Sequence, residues 1–326
     1  MQHTNKKWIL IENKGEIDVN ALILMGGSTK RGDNTKIGLY GSGNKYSIAL
    51  LMKNKIDFKI FSGEQEFVLT TEEVNFRDKK FDKILVNGKE TSLTTDMGPQ
   101  WEIHMIIREF VSNCIDEGQY NIVPCTENIN SLSGYTRIYI EHTPEIKEVI
   151  DNWDLYFSFD RLDAITNNQE GKIFPNIAEK NTKVLYRKGI RCQFEGTSLY
   201  HYDLNDYSIN ESRVIDNTWG MRRITVKYLV RYATKEIAET IMEKAFLENS
   251  YLETILEYYS DAWGCPLSEG WRQAIGTKII INCDLSGFYT EKLHLPHYQV
   301  SKELGKKIKE CFPDVDHGVE VVGDRV

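Results

Sequence analysis

An α+β fold in two domains is what this sequence predicts, and three observations carry it. Short alternating or apolar runs of strand length recur through the first part of the chain. A long amphipathic segment, roughly residues 100–117, has helical periodicity. The pattern weakens from Asp151 to Thr182, which divides the chain into 1–150 and 151–326.

Bulk properties set the bounds. The 326 residues suffice for two domains, and 41% hydrophobic with 11% aromatic residues allows packed cores. A formal charge of -8 argues against broad nucleic-acid binding, which needs a surplus of Lys and Arg. Cys114, Cys125, Cys192, Cys265, Cys283 and Cys311 form no C-x-x-C pair and read as free thiols of a reducing compartment. No signal peptide or membrane span is visible, so a soluble cytoplasmic protein is expected.

In chain order, Trp8 to Ile11 reads as a strand followed by a turn at Glu12–Gly15. Asp18 caps a helix through Ala21, Leu22 and Met25. A polar loop, Gly26 to Asp33, leads to a glycine-rich turn, Ile37 to Gly43, and a helix from Lys45 to Lys53. Phe58 to Phe61, Glu66 to Thr70 and Phe81 to Val86 alternate as strands, and Asn87-Gly88 marks a turn. The segment Gln100 to Glu117 is the longer helix, with Gly118 at its stop. Tyr135 to Glu141 is another strand. Beyond the junction, strands are expected at Val184 to Phe194, Arg223 to Tyr232 and Ile279 to Asp284. Helices are expected at Lys235 to Tyr259 and Ser301 to Phe312, and Trp263 to Phe312 reads as a small α/β unit. His294 and His297 read as loop histidines, and the two Trp of residues 261–276 as core.

The helix 100–117 carries the chemistry. Glu109, Asn113 and Asp116 are spaced four and three apart and align on one stripe, with apolar Ile107, Phe110, Val111 and Cys114 around it. A half-buried carboxylate needs a partner or shifts its pKa. Asp116 and Glu117 also stand in the last turn, where the macrodipole disfavours negative charge by about 0.3–1 kcal/mol each. Glu117 is read as a solvated helix end. Glu109 can polarise a water, and the Asn113 amide oxygen one turn on can ligate a hard magnesium ion.

The glycine turn fits such a site. Gly38, Gly41 and Gly43 open backbone conformations closed to other residues, and their N–H groups can converge on phosphates ahead of a helix N-terminus. Ser42 lies within the same turn. An ordinary glycine-rich loop is the alternative reading.

These segments resemble the GHKL (Bergerat-fold) ATPases, the superfamily of gyrase B, the mismatch-repair protein MutL and the ninety-kilodalton heat-shock chaperone. "REFVSNCIDEG" is similar to their N-box, E-x-x-x-N-x-x-D. "IGLYGSGNKYSIALLMKNKIDFKIFSG" is similar to their second glycine box, and "GGSTKRGDNTK" before it to their ATP lid. "ILIENKGEIDVNALILMGG" resembles the first glycine box, but its second glycine is missing, and Glu12 or Asn13 stands where the family places an adenine-reading Asp. Gly15 is retained.

The resemblance implies a permuted Bergerat-type α/β sandwich, a mixed sheet with helices on one face. The permutation follows from order, because both glycine boxes here precede the N-box. It implies Glu109 as general base, Asn113 as magnesium ligand, and Asp116, Lys30 and the glycine turn as the rest of an ATP–Mg2+ pocket. "KVLYRKGIRC" with "YDLNDYSINESR" resembles the S5-like or middle domain that sends a cation to the terminal phosphate. Arg213 is the matching position and Lys188 a second candidate; a surface ion pair explains Arg213 equally well. The function implied is a slow ATPase acting on a protein partner, in a monomer or homodimer. The other readings are a non-hydrolysing module, for a modified nucleotide among others, and an interaction protein that has lost its ligand.

Overall fold

The structure, a computed structural model, describes residues 6–23, 37, 42–245, 250–257, 264, 266–282 and 296–317. The chain divides into two compact units, 1–156 and 157–326, and the fold is α+β in both. None of the described helices is long and apolar enough to cross a membrane.

The first unit is built on a five-stranded sheet in the order β3-β2-β8-β1-β7. Its strands are β1 (Trp8–Lys14), β2 (Phe58–Ser62), β3 (Gln65–Phe67), β7 (Tyr120–Thr126) and β8 (Tyr135–Glu141). Every neighbouring pair is antiparallel, which corrects the mixed sheet expected for this unit. Antiparallel neighbours need only short links, and the β2–β3 turn at Gly63 is one. A separate three-stranded sheet, β4 (Leu69–Phe76), β5 (Lys79–Val86) and β6 (Lys89–Thr94), follows β3. Its β5–β6 turn is Asn87-Gly88, both at positive φ (51° and 71°), as that dipeptide predicts.

Helices α1 (Asn20–Ile23), α2 (Gly43–Lys53), α3 (Ile103–Glu117), α4 (Pro144–Asp151) and α5 (Trp153–Tyr156) complete the unit. Asp18 caps α1 through a 2.7 Å bond from Asn20 N–H to its carboxylate. Helix α3 starts three residues later than the periodicity suggests and ends at Gly118, whose φ is 78°. It packs against β1, α2 and α4, and residues 105–112 are buried without a break. The strand alternation of β1 places Ile9, Ile11 and Asn13 on one face and Trp8, Leu10 and Glu12 on the other. Trp8 and Leu10 cluster with Phe61 and Tyr139, and no helix residue belongs to that cluster. The helices therefore cover the face of Ile9 and Ile11.

The second unit carries a five-stranded mixed sheet in the order β12-β11-β13-β10-β9. Its strands are β9 (Thr166–Asn168), β10 (Gly171–Pro175), β11 (Thr182–Arg187), β12 (Ile190–Thr197) and β13 (Tyr200–Leu204). The single strand expected at Val184–Phe194 is a hairpin, turning at Lys188-Gly189 with φ of 52° and 80°. The strand expected at Arg223–Tyr232 lies inside helix α6 (Thr218–Tyr232). Its alternation suggested a strand, but Met221, Thr225, Tyr228 and Leu229 recur at helical spacing and are buried. Asn217 caps it, accepting from Gly220 N–H at 2.8 Å. The long helix expected from Lys235 is described as α7 (Lys235–Thr240), a π turn (Ile241–Ala245) and a 3-10 turn (Leu252–Glu257).

The C-terminal segment supplies α8 (Glu269–Ile275), the parallel pair β14 (Ile279–Asn282) and β15 (His297–Val300), and α9 (Lys302–Cys311). Most of its buried apolar residues join the core of the unit. Trp271, Ile280, Tyr298, Leu304 and Ile308 share one apolar cluster with Tyr202, Leu229 and Ile237. His297 opens β15, while His294, Trp263, Cys265 and Cys283 lie outside the described residues. Cys114, Cys125, Cys192 and Cys311 are free thiols.

Buried polar networks tie this unit together. Glu253 accepts from Ser198 Oγ (2.9 Å), Leu199 N–H (3.0 Å) and Tyr202 OH (2.6 Å). His201 is fully buried between the Arg161 guanidinium (3.2 Å) and the Asn176 amide oxygen (2.8 Å). Burial, with Arg161 beside it, pushes the His201 pKa from 6.5 down to about 3. The folded chain thus binds fewer protons than the unfolded chain across that window, and stability from His201 is lost as pH falls through 6.5 toward 3. Asp203 and Glu253, both raised by burial, act in the opposite sense. Comparison with His201→Gln isolates the histidine. Chemical denaturation between about pH 6 and pH 4 is expected to show the wild type losing up to about 1.4 kcal/mol per pH unit more than the variant. Equal acid sensitivity contradicts this assignment.

Candidate functional site

The three polar residues of the α3 stripe meet both ends of the glycine turn. At its start, Ile37 N–H donates to Asp116 Oδ1 at 2.7 Å. At its end, Gly43 opens α2, and a Cβ there would stand within 2.8 Å of Glu109 Cδ, colliding with the carboxylate. One residue on, Asn113 Nδ2 donates to Asn44 Oδ1 at 2.7 Å. An alanine at 43 would have to displace the buried Glu109 carboxylate.

The charges at this junction are buried. Glu109 and Asp116 are 4% and 7% exposed, although a carboxylate is costly to bury. Arg108, itself buried, donates from Nε to Glu109 Oε1 at 3.1 Å and stacks over the Trp101 ring. Trp101 packs on Tyr46 of α2 with ring centroids 4.9 Å apart. Ser42 caps α2 by position, its carbonyl accepting from Lys45 and Tyr46 N–H. Lys45 is buried in the first turn of α2, and that burial pushes its ammonium pKa down. Glu117 is exposed, the solvated helix end that its position suggested.

The first-box residues separate. Glu12 is on the sheet face away from the helices, ion-paired with Arg137 Nε at 2.7 Å and accepting from Asn121 Nδ2 at 2.8 Å. Both partners lie directly across the ladders of β1. Asn13 is half-buried on the helix-side face. Gly15 has a φ of 110°, donates to Gly134 O at 2.7 Å and accepts from Thr136 Oγ1 at 2.8 Å, which binds its loop to the start of β8. Lys30, Gly38 and Gly41 lie outside the described residues.

In the second unit, Arg213 is 6% exposed and sits at φ 56° in a turn closed by bonds from Arg213 N–H to Asn210 O and from Val214 N–H to Asn210 Oδ1. Lys188 caps the β11–β12 hairpin. That hairpin is pinned by Asp203, whose Oδ2 accepts from Gly189 N–H (2.9 Å) and Ser158 Oγ (2.8 Å). Of the two cations, Lys188 is the less buried.

Sequence reasoning missed Asn44, Lys45 and Arg108. The first two stand inside the glycine segment as ordinary polar residues, and only the packing of α2 on α3 buries Lys45 and pairs Asn44. A charge at 108, next to Glu109 on an otherwise apolar flank, was the available signal. Among the described residues no group of three or more His, Cys, Asp or Glu is arranged to hold a metal. The carboxylate oxygens placed against the two ends of the turn are those of Asp116, 2.7 Å from Ile37 N, and of Glu109 beside Gly43. Comparison with known proteins finds no matching family model and no matching curated protein.

The clash at Gly43 makes a test that needs no ligand. Gly43→Ala is expected to destabilise by about 1–3 kcal/mol, the usual range for overpacking, and Glu109→Ala to relieve much of that in the double variant. Additive effects in a denaturation cycle contradict the close approach.

Proposed function

We propose that the chain binds ATP with magnesium in a Bergerat-type pocket formed by α3 and the glycine turn, and hydrolyses it slowly. One observation carries the reading: Asp116, Glu109 and Asn113, spaced for one helical stripe, meet Ile37, Gly43 and Asn44 at the two ends of a glycine-rich turn that opens a helix. Such a turn favours anions through converging N–H groups and the helix dipole.

Each residue then has a task. Gly43 offers a first-turn N–H group toward phosphate. Asn113 would hold magnesium by its amide oxygen, and the ion when bound neutralises phosphate charge. Glu109, oriented by Arg108, accepts the proton of the attacking water. Asp116 fastens the start of the turn. Lys30, Gly38 and Gly41 belong to the same pocket by position in the sequence. The output of such a cycle is movement that acts on a protein partner.

The second reading, a module that binds without hydrolysing, is favoured by Glu12. Its commitment to Arg137 and Asn121 leaves Asn13 as the residue to read the base, and an amide reads bases other than adenine as readily.

ATP with magnesium is expected to raise the melting temperature, corresponding to about 2.7 kcal/mol at a hundredfold excess over Kd. Asn113→Ala should abolish the rise. Glu109→Ala should keep it and stop phosphate release. No shift with any adenine nucleotide removes the first reading, and a shift without phosphate release in the wild type selects the second.

A further inference from the structure

We infer that Asn44 is a positioning residue, holding the Asn113 side chain with its amide oxygen presented to a divalent cation. The inference rests on the nucleotide reading and extends it to a residue outside the α3 stripe. A carboxamide has one donor end and one acceptor end, and only the acceptor end ligates a metal. The Asn113 Nδ2 end is committed to Asn44 Oδ1 at 2.7 Å, which turns Oδ1 away from Asn44. Rotating the Asn113 amide alone would set two oxygens against each other at that separation. With Asn44 presenting its oxygen, the metal-competent rotamer of Asn113 is the one that keeps this bond, as groups behind a ligand commonly arrange.

Geometry makes the pair well suited to this. Asn44 is the second residue of α2, one position after Gly43, whose Cα faces Glu109 on the same α3 stripe. The two amides thus meet between elements that pack directly on each other. Position 44 needs an acceptor. Asp supplies one and Leu, of similar size, supplies none.

The experiment is titration of ADP in the presence of magnesium and in its absence with a chelator, read as the ratio of the two affinities. The wild type is expected to show a clear magnesium-dependent gain. Asn44→Leu should cut that gain about tenfold or more, within the range typical of groups behind a metal ligand. It should leave the magnesium-free affinity and the ligand-free melting temperature in place. Asn44→Asp should restore the gain. In an Asn113→Ala background, Asn44→Leu should cost nothing further. Asn44→Ala replaces the Leu variant if Leu lowers the ligand-free melting temperature. A wild-type gain in Asn44→Leu overturns the inference alone, as does an equal loss in the Asn113→Ala background. Absence of ADP binding to the wild type overturns the nucleotide reading, and the inference with it.

Discussion

The arrangement of the first unit depends on satisfying polar groups on a helix that is buried on almost every side. Helix α3 sits against β1, α2 and α4, so Glu109 and Asp116 are withdrawn from water. A buried carboxylate is tolerated only with hydrogen-bond or charge partners. Those partners come from the neighbouring helix residue Arg108 and from the backbone of Ile37. Because the Ile37 N–H is one end of the glycine turn and Gly43 is the other, satisfying α3 also fastens the turn. The same packing that stabilises the unit thereby brings hard oxygen donors to an N-terminal helix turn.

The second unit follows a different logic. Its buried carboxylates and its histidine are enclosed by hydrogen-bonding groups drawn from several elements. Glu253 gathers hydroxyl and backbone donors, and His201 bridges an arginine and an amide. Such networks specify geometry more than they add stability. Asp203 fixes the Lys188-Gly189 turn by accepting from Gly189 N–H.

Legibility in the sequence followed the range of the interactions involved. The α3 stripe was readable because helical spacing alone aligns positions 109, 113 and 116. The Asp18 cap, the Asn87-Gly88 turn and the Gly118 stop were readable because each is local chemistry. Arg223–Tyr232 misled because it alternates over a short run, while the buried Met221, Thr225, Tyr228 and Leu229 follow the helical period. Strand β7 was missed because it lies at the sheet edge, contains Pro124 and buries little. The role of Glu12 was unreadable for a further reason. Its partners Asn121 and Arg137 are remote in sequence, and the register of two ladders decides that they meet. The shared core of the C-terminal segment is likewise a matter of long-range packing.

The central claim is that the α3 stripe and the glycine turn form one nucleotide pocket. A crystal structure with a non-hydrolysable ATP analogue and magnesium tests it most directly. The account predicts phosphates against the 38–43 turn, the metal on the Asn113 amide oxygen and a water beside Glu109. A nucleotide bound elsewhere, with Asn113 and Glu109 making only the contacts they make without it, would contradict it.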